Sequence, residues 1–196
     1  LSLLVQTPSV KERLQFGGLI GYLILALGAL AMLGALMRIV YLLRVNHGVQ
    51  GQRKTSVIST KNPLGRVMKV REENPDLNTE ALSLKLDEAI VREQSKFEQF
   101  LWAIKVVSVV APLMGLLGTV TGMIRTFQAI TLFGTGDPKL MAGGISEALV
   151  TTMLGLVVAI PLVLLHSWLR TMSRRLTEIL GEQSTGMVAR AAEKEA

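Results

Sequence analysis

Polar and apolar residues along this chain fall into blocks. Three stretches carry no Lys, Arg, Asp or Glu: Leu14–Met37, Val106–Ile124 and Ala148–Leu169. At about 1.5 Å per residue, each is long enough as a helix to cross roughly 30 Å of hydrocarbon. The pattern predicts an all-α membrane protein with three transmembrane helices. The expected segments are an outward N-terminal piece (1–13), a first span (14–43), a cytoplasmic helical region (44–104), a second span (105–133), an outer loop (134–143), a third span (144–169) and a cytoplasmic tail helix (170–196).

Between the first two spans the periodicity changes. Pro8 and Ser9 mark a break and a possible cap before the first span. His47–Asn62 is polar, with Gly48 and Gly51, and reads as a loop. Pro63–Glu73 reads as a short helix with Pro63 at its first position. Asn74-Pro75-Asp76 breaks it. Asn78 or Thr79 then caps a longer helix, with Glu80 in the first turn, where the helix dipole favours an acid.

In that helix Leu82, Leu86, Ala89, Ile90, Phe97, Leu101 and Ile104 recur close to every 3.6 residues. Lys85, Asp87, Glu88, Arg92, Glu93 and Gln99 fill most other positions. No Gly or Pro separates this segment from the second span, so one continuous helix is expected from about Asn78 to Phe133, cytoplasmic first and transmembrane second. Its apolar face needs a partner, and two fit: the short helix with the tail, or a neighbouring copy. Gly134-Thr-Gly-Asp-Pro138 is a turn by composition, joining the last two spans as a hairpin. The third span continues beyond Trp168 and Arg170 as a basic amphipathic helix, which Gly181 and Gly186 weaken.

Composition agrees with the blocks. Of 196 residues 49% are apolar and 18% charged, and the mean hydropathy is +0.43. The net charge is +6, and its placement is informative. Arg44–Lys105 holds 11 Lys/Arg and 8 Asp/Glu, the tail from Arg170 holds 5 Lys/Arg, and the outer loop holds only Lys139. The positive-inside rule puts the middle segment and the tail in the cytoplasm, the N-terminus and short loop outside. The charges are mixed in sign and flank hydrophobic spans, which argues against nucleic-acid binding. With no cysteine, disulfides and thiolate metal sites are excluded. His47 and His166 have no ligand-spaced companions, so no metal site or cofactor is expected. Leu14–Met37 is too long for a signal-peptide core and reads as a retained anchor.

Two of the spans carry small and hydroxyl residues on one helical face. In the second these are Ala111, Gly115, Gly118, Thr119 and Gly122; in the third, Gly144, Ala148, Thr151, Gly155 and Ala159. Such stripes suit helices that pack closely or line a polar path. Glu147 borders the second stripe, 23 residues or about 34 Å from Arg170, at the outer edge of the hydrocarbon. Two roles fit it: an interfacial acid stabilised by the helix dipole, or a group that takes up and releases a proton. Thr151, one turn on, can hydrogen-bond it. Thr119 lies about 21 Å from Lys105 and Thr152 about 27 Å from Arg170 along their helices. A lone Thr in a span bonds back to its own helix; several beside Gly on neighbouring helices suit a wet interface. Arg125 has Glu147 and Asp137 as nearby acids for a salt bridge, or can snorkel outward. Pro112 and Pro161 sit inside spans, where each frees a carbonyl and can kink its helix.

Ala111-Pro-Leu-Met-Gly-Leu-Leu-Gly-Thr-Val-Thr-Gly-Met123, followed by Gly144-Ile-Ser-Glu-Ala-Leu-Val-Thr-Thr152 and Gly155-Leu-Val-Val-Ala-Ile-Pro161, resembles the MotA/TolQ/ExbB proton-channel family, in particular its ExbB branch. The resemblance covers roughly Phe97 to Arg175. It implies a homopentamer in the bacterial inner membrane, with the second and third spans lining a pore. Two copies of a single-span ExbD-like subunit would sit in that pore and supply a protonatable Asp, and a TonB-like protein would carry the work to the outer membrane. Glu147 matches the family's acidic position in the third span, Thr119 and Thr152 its pore-facing hydroxyl positions, and Pro161 its third-span proline. Arg125 adds charge to the outer pore. Gly115, Gly118, Gly122 and Gly155 serve helix packing. Competing readings are a TolQ-like subunit of an envelope-maintenance system, a non-conducting membrane scaffold, and a secondary transporter, against which the absence of an internal repeat argues. No nucleotide fingerprint or hydrolase motif suggests an enzyme.

Overall fold

A computed structural model describes residues 17–55, 57–134 and 138–195; side chains at 133, 138–140 and 194–195 are outside the description. The expectations for residues 1–16, including the cap at Ser9, and for the turn residues 135–137 lie outside the described residues. Every element is helical: α1 (Gly18–Arg53), α2 (Pro63–Glu72), α3 (Thr79–Glu98), α4 (Leu101–Phe133) and α5 (Pro138–Glu195). Three windows, in α1, in the α3–α4 stretch and in α5, are long and apolar enough to cross a membrane.

The contacts divide the chain into two units, residues 1–34 with 103–165, and residues 35–102 with 166–196. In the first, Ile24, Ala111 and Leu154 form a buried centre, with Ile20, Leu25, Met114, Val150 and Val158 packed around it. The outward faces of its helices are apolar: Leu19, Leu30, Leu113, Leu116, Leu149 and Leu164 are all exposed. That surface suits lipid, where burial of apolar area gives no drive for helices to associate and close packing of small residues must supply it.

The second unit has a water-type core of Leu42, Val49, Leu64, Val67, Leu82, Leu86, Phe97, Leu169, Leu176 and Leu180, all buried. Each such side chain contributes about 1.5–3 kcal/mol. Asn62 caps α2 by accepting from the Gly65 amide (2.7 Å), with Pro63 at the first position. Asn78, the expected alternative to Thr79, caps α3 through the Ala81 amide (2.9 Å).

Four expectations need correction. The polar segment from His47 is helical as far as Arg53, because α1 keeps one buried stripe: 24, 28, 35, 38, 42, 49 and 52 alternate by threes, fours and sevens. Gln52, on that stripe, organises the loop that follows. Its Nε2 donates to the Thr55 and Val57 carbonyls (3.3 and 2.9 Å), and its Oε1 accepts from the Ser59 amide and Asn62 Nδ2 (both 3.0 Å). Second, the loop expected at 134–143 is shorter, since helix resumes at Pro138, a position where the missing N–H costs nothing.

Third, the single helix expected from Asn78 to Phe133 is interrupted at Gln99 and Phe100. Gln99 is extended (φ −51°, ψ 137°) and Phe100 left-handed (φ 63°), a conformation that costs a non-glycine residue about 1–2 kcal/mol. No other described non-glycine residue has a positive φ. Fourth, Glu93, placed by periodicity on a polar face, is 4% exposed. Arg66 grips it from α2 (Nε to Oε1 2.9 Å, Nη2 to Oε2 2.6 Å), and Lys96 Nζ adds a bond at 2.7 Å. Burial alone would raise the Glu93 carboxyl, but these hydrogen bonds and the charges behind them outweigh it and hold the group below the ordinary glutamate range. The Glu93 bond correspondingly raises the Arg66 guanidinium.

Candidate functional site

The site is built where α4 and α5 run side by side. Small residues let the two backbones approach closely. A Cβ placed on Gly118 would lie 2.2 Å from Thr151 Oγ1, one on Gly115 3.0 Å from the Thr151 carbonyl oxygen, one on Gly122 2.8 Å from the Gly144 carbonyl oxygen, and one on Gly155 2.7 Å from the Ala111 carbonyl oxygen. These contacts need glycine. The two stripes read from the sequence therefore face each other within one protomer. Thr126, not anticipated, joins the seam: it is 3% exposed, and its Oγ1 occupies the space a Cβ on Gly144 would need. Its spacing four residues beyond Gly122 is the signal that could have found it. Pro112 and Pro161 both lie inside uninterrupted helices.

α1 packs on one flank of this pair. Gly28 lies against Val158 and Gly21 against Leu154. Gly18, left-handed at φ 55°, lies against the Glu147 carboxylate, so close that a Cβ there would stand 2.4 Å from Oε1. Two demands converge on that glycine, conformation and space.

Glu147 is four-fifths buried at its side chain and is held by Arg125, whose Nη1 donates to Oε1 (3.0 Å) and Oε2 (2.9 Å). Of the two acids weighed as partners for Arg125, Glu147 is the one it meets; Asp137 is outside the described residues. The pair links the C-terminal part of α4 to the N-terminal part of α5.

The hydroxyls divide. Thr151 is fully buried and bonds to the Glu147 and Ala148 carbonyls (3.1 and 2.9 Å), so it is a seam residue within the protomer. It bonds the backbone of Glu147, not its carboxylate. Thr119 is half-buried and bonds its own helix at Leu116 (2.6 Å). Thr152 instead crosses to α4 and donates to the Gly115 carbonyl (3.1 Å). That carbonyl is also the helical acceptor for the Thr119 amide, so Thr119 and Thr152 sit beside each other. At about 100° per residue, Thr152 lies about 140° round α5 from Glu147. The acid is on the flank that α1 covers, and the two hydroxyls are on the opposite flank. Among the described residues no group of His, Asp and Glu is arranged to hold a metal ion.

Residues 59–182 match the MotA/TolQ/ExbB proton channel family. The chain belongs to that family. Among its relatives, a putative biopolymer transport protein ExbB homolog of Methanothermobacter thermautotrophicus is 34% identical over 177 residues, 82% of this chain and 63% of that protein. The putative biopolymer transport protein ExbB-like 3 of Synechocystis is 35% identical over 144 residues, 65% of this chain and 68% of that protein. The Tol-Pal system protein TolQ of Pseudomonas aeruginosa is 34% identical over 94 residues, 48% of this chain and 41% of that protein. The chain spans about two thirds of the first two relatives' lengths. As a MotA/TolQ/ExbB member with three helices of membrane-spanning length, it is a multi-pass membrane protein whose matched region contains both candidate flanks.

Proposed function

We propose that this chain is the proton-channel stator subunit of an inner-membrane energiser of the ExbB type, which couples proton motive force to transport across the outer membrane. The observation that carries the reading is Glu147: a four-fifths-buried acid, paired with Arg125, at one end of a helical seam of small and hydroxyl residues. A structural hairpin has no need of such a group, and an ionisable residue at membrane depth is a functional candidate by default. Membership of a proton channel family supports the same role.

In this reading copies assemble as a pentamer with α1 outermost. The flank opposite α1, with Thr119 and Thr152, then faces a central path occupied by two copies of an ExbD-like single-span partner, and a TonB-like protein receives the work. Arg125 sets the outer charge and holds Glu147. The N-terminus is outside and the C-terminus in the cytoplasm, with lipid against the apolar outer faces. Replacing Glu147 with Ala should abolish energised uptake while the protein stays in the membrane; normal uptake by that variant refutes the role.

Two other readings have support of their own. The resemblance to TolQ favours a subunit that energises a TolA-type envelope system. The Arg125–Glu147 pair and the self-bonded threonines favour a non-conducting scaffold. The native mass of the complex purified with its single-span partner, together with the effect of Glu147→Ala, separates the conducting readings from the scaffold.

A further inference from the structure

The uncharged run Ala148–Leu169 of α5 ends at Arg170, and Arg174 follows one turn on. A helical run of that length fills the hydrocarbon, so Arg170 stands in the headgroup layer. Trp168, 47% exposed, is a usual companion at that boundary. At this level a cavity of about 430 Å³ opens between α5 and the end of α3. Arg170, Arg174, Thr177 and Glu178 line it from α5, and Gln94 and Glu98 from α3. All six belong to the unit of residues 35–102 and 166–196. The volume is that of a small-ligand site, about 300–1,000 Å³.

The charges in this lining are mixed and unevenly satisfied. Glu98 is the last residue of α3, where the helix dipole adds partial negative charge. Gln94 Nε2 donates to its Oε1 (3.0 Å) and orients the carboxylate. Arg170 has no hydrogen bond or ion pair among the described residues. Arg174 meets Glu178 through Nε (3.3 Å) and keeps its Nη donors, and both side chains are so exposed that the pair is worth little. A simple anion would meet the two carboxylates here, and a simple cation the two guanidinium groups. A ligand that carries both charges a few ångströms apart answers both.

We propose that this cavity seats the headgroup of a phosphatidylethanolamine-type lipid, its phosphate on Arg170 and Arg174 and its primary ammonium on Glu98. Guanidinium groups suit phosphate oxygens through paired N–H donors. A primary ammonium brings three N–H donors to the Glu98 carboxylate, whereas the quaternary ammonium of choline brings none. An anionic headgroup without an amine leaves both carboxylates unanswered. Depth selects a lipid over a soluble zwitterion, because the cavity opens where the uncharged run of α5 gives out. The inference rests on the chain spanning a bilayer and is independent of whether Glu147 conducts protons.

Native mass spectrometry of the full chain tests this, after exchange into an equimolar mixture of phosphatidylethanolamine, phosphatidylcholine and phosphatidylglycerol with identical acyl chains. The expected result is one retained phosphatidylethanolamine per chain, favoured about fivefold over each of the others, the upper worth of an exposed ion pair. Glu98→Gln should bring it down to the phosphatidylcholine level. Arg170→Gln should lower retention of phosphatidylethanolamine and phosphatidylcholine alike. Both residues are exposed, so neither change disturbs the core. Arg175→Gln, at an exposed α5 arginine outside the cavity lining, should change nothing. Equal retention of the three lipids would overturn the assignment, as would a preference for phosphatidylglycerol, the mark of a basic patch alone. A preference that survives Glu98→Gln or Arg170→Gln would do the same. Soluble phosphoethanolamine that binds as tightly as the lipid would overturn the choice of a lipid.

Discussion

Gly118→Ala tests the packing of the seam more sharply than any other substitution. The added Cβ would stand 2.2 Å from Thr151 Oγ1, 2.4 Å from its Cβ and 2.9 Å from its Cγ2. Ordinary contact begins near 3.4 Å, so the Cβ pair alone demands a shift of about 1 Å (3.4 − 2.4). Thr151 cannot rotate away, because its Oγ1 is tied to the Glu147 and Ala148 carbonyls and its side chain is wholly enclosed. The helices must part, which breaks the neighbouring contacts at Gly115 and Gly122. The expected loss is about 1–3 kcal/mol, the usual cost of overpacking. Gly181→Ala and Gly186→Ala are internal controls. Both glycines are helical with open space around them, so alanine should stabilise each by about 0.5–1 kcal/mol. Thermal unfolding in one detergent gives the comparison. Thr151→Gly removes all three clashing atoms and should recover more than 1 kcal/mol in the Gly118→Ala background, read as the coupling in a double-mutant cycle. A Gly118→Ala variant as stable as Gly181→Ala, or a cycle with no coupling, would refute the argument.

Other outcomes follow from the ion pairs and hydroxyls. Arg66→Met leaves Glu93 buried with only Lys96 and should cost about 1–3 kcal/mol, read as a lower midpoint for the unit of residues 35–102 and 166–196. The Glu93 carboxyl is held low in the fold, so its contribution is present above the ordinary glutamate range and fades as pH falls through the lowered value. Glu93→Gln should flatten that part of an acid titration, and an unchanged acid limb would contradict it. Arg125→Gln removes both bonds to the Glu147 carboxylate while sparing the seam. Crosslinking between cysteines placed on α1 and α5 near Gly18 should then become less uniform, whereas unchanged crosslinking would mean that Gly18 alone seats the acid. Thr119→Val should lower proton flux without lowering stability, because its hydroxyl serves only its own helix; unaltered flux would make Thr119 a packing residue.

Much of the site was legible because sterics write it directly into residue size. Glycine and alanine at helical spacing in two apolar segments require a close partner, and the stripes do face each other. A counter-charge for Arg125 was expected, but the sequence left Glu147, Asp137 and snorkelling open, and the structure supplies Glu147. The division of acid and hydroxyls onto opposite flanks was not legible, since it depends on which side of the α4–α5 pair α1 packs, and nothing in the apolar first span marks that side. The break at Phe100 was not legible either, because neither Gln99 nor Phe100 is a glycine, proline or asparagine, the residues that signal a helix end. Glu93 illustrates the same limit. Periodicity assigned it to solvent, and only the arrival of Arg66 from α2 makes burial tolerable. The helical run from His47 to Arg53 was masked by two glycines, though Val49 and Gln52 continue the heptad of the apolar stripe.

The central claim is that an acid at the top of the α4–α5 seam carries protons. Proton flux into liposomes containing the chain with the ExbD-like single-span subunit proposed for it, under an imposed membrane potential, measures it directly. Glu147→Gln keeps the shape of the side chain and removes its charge, so the account predicts flux at the level of empty liposomes from a complex of unchanged mass. Flux equal to that of the unaltered protein would contradict it.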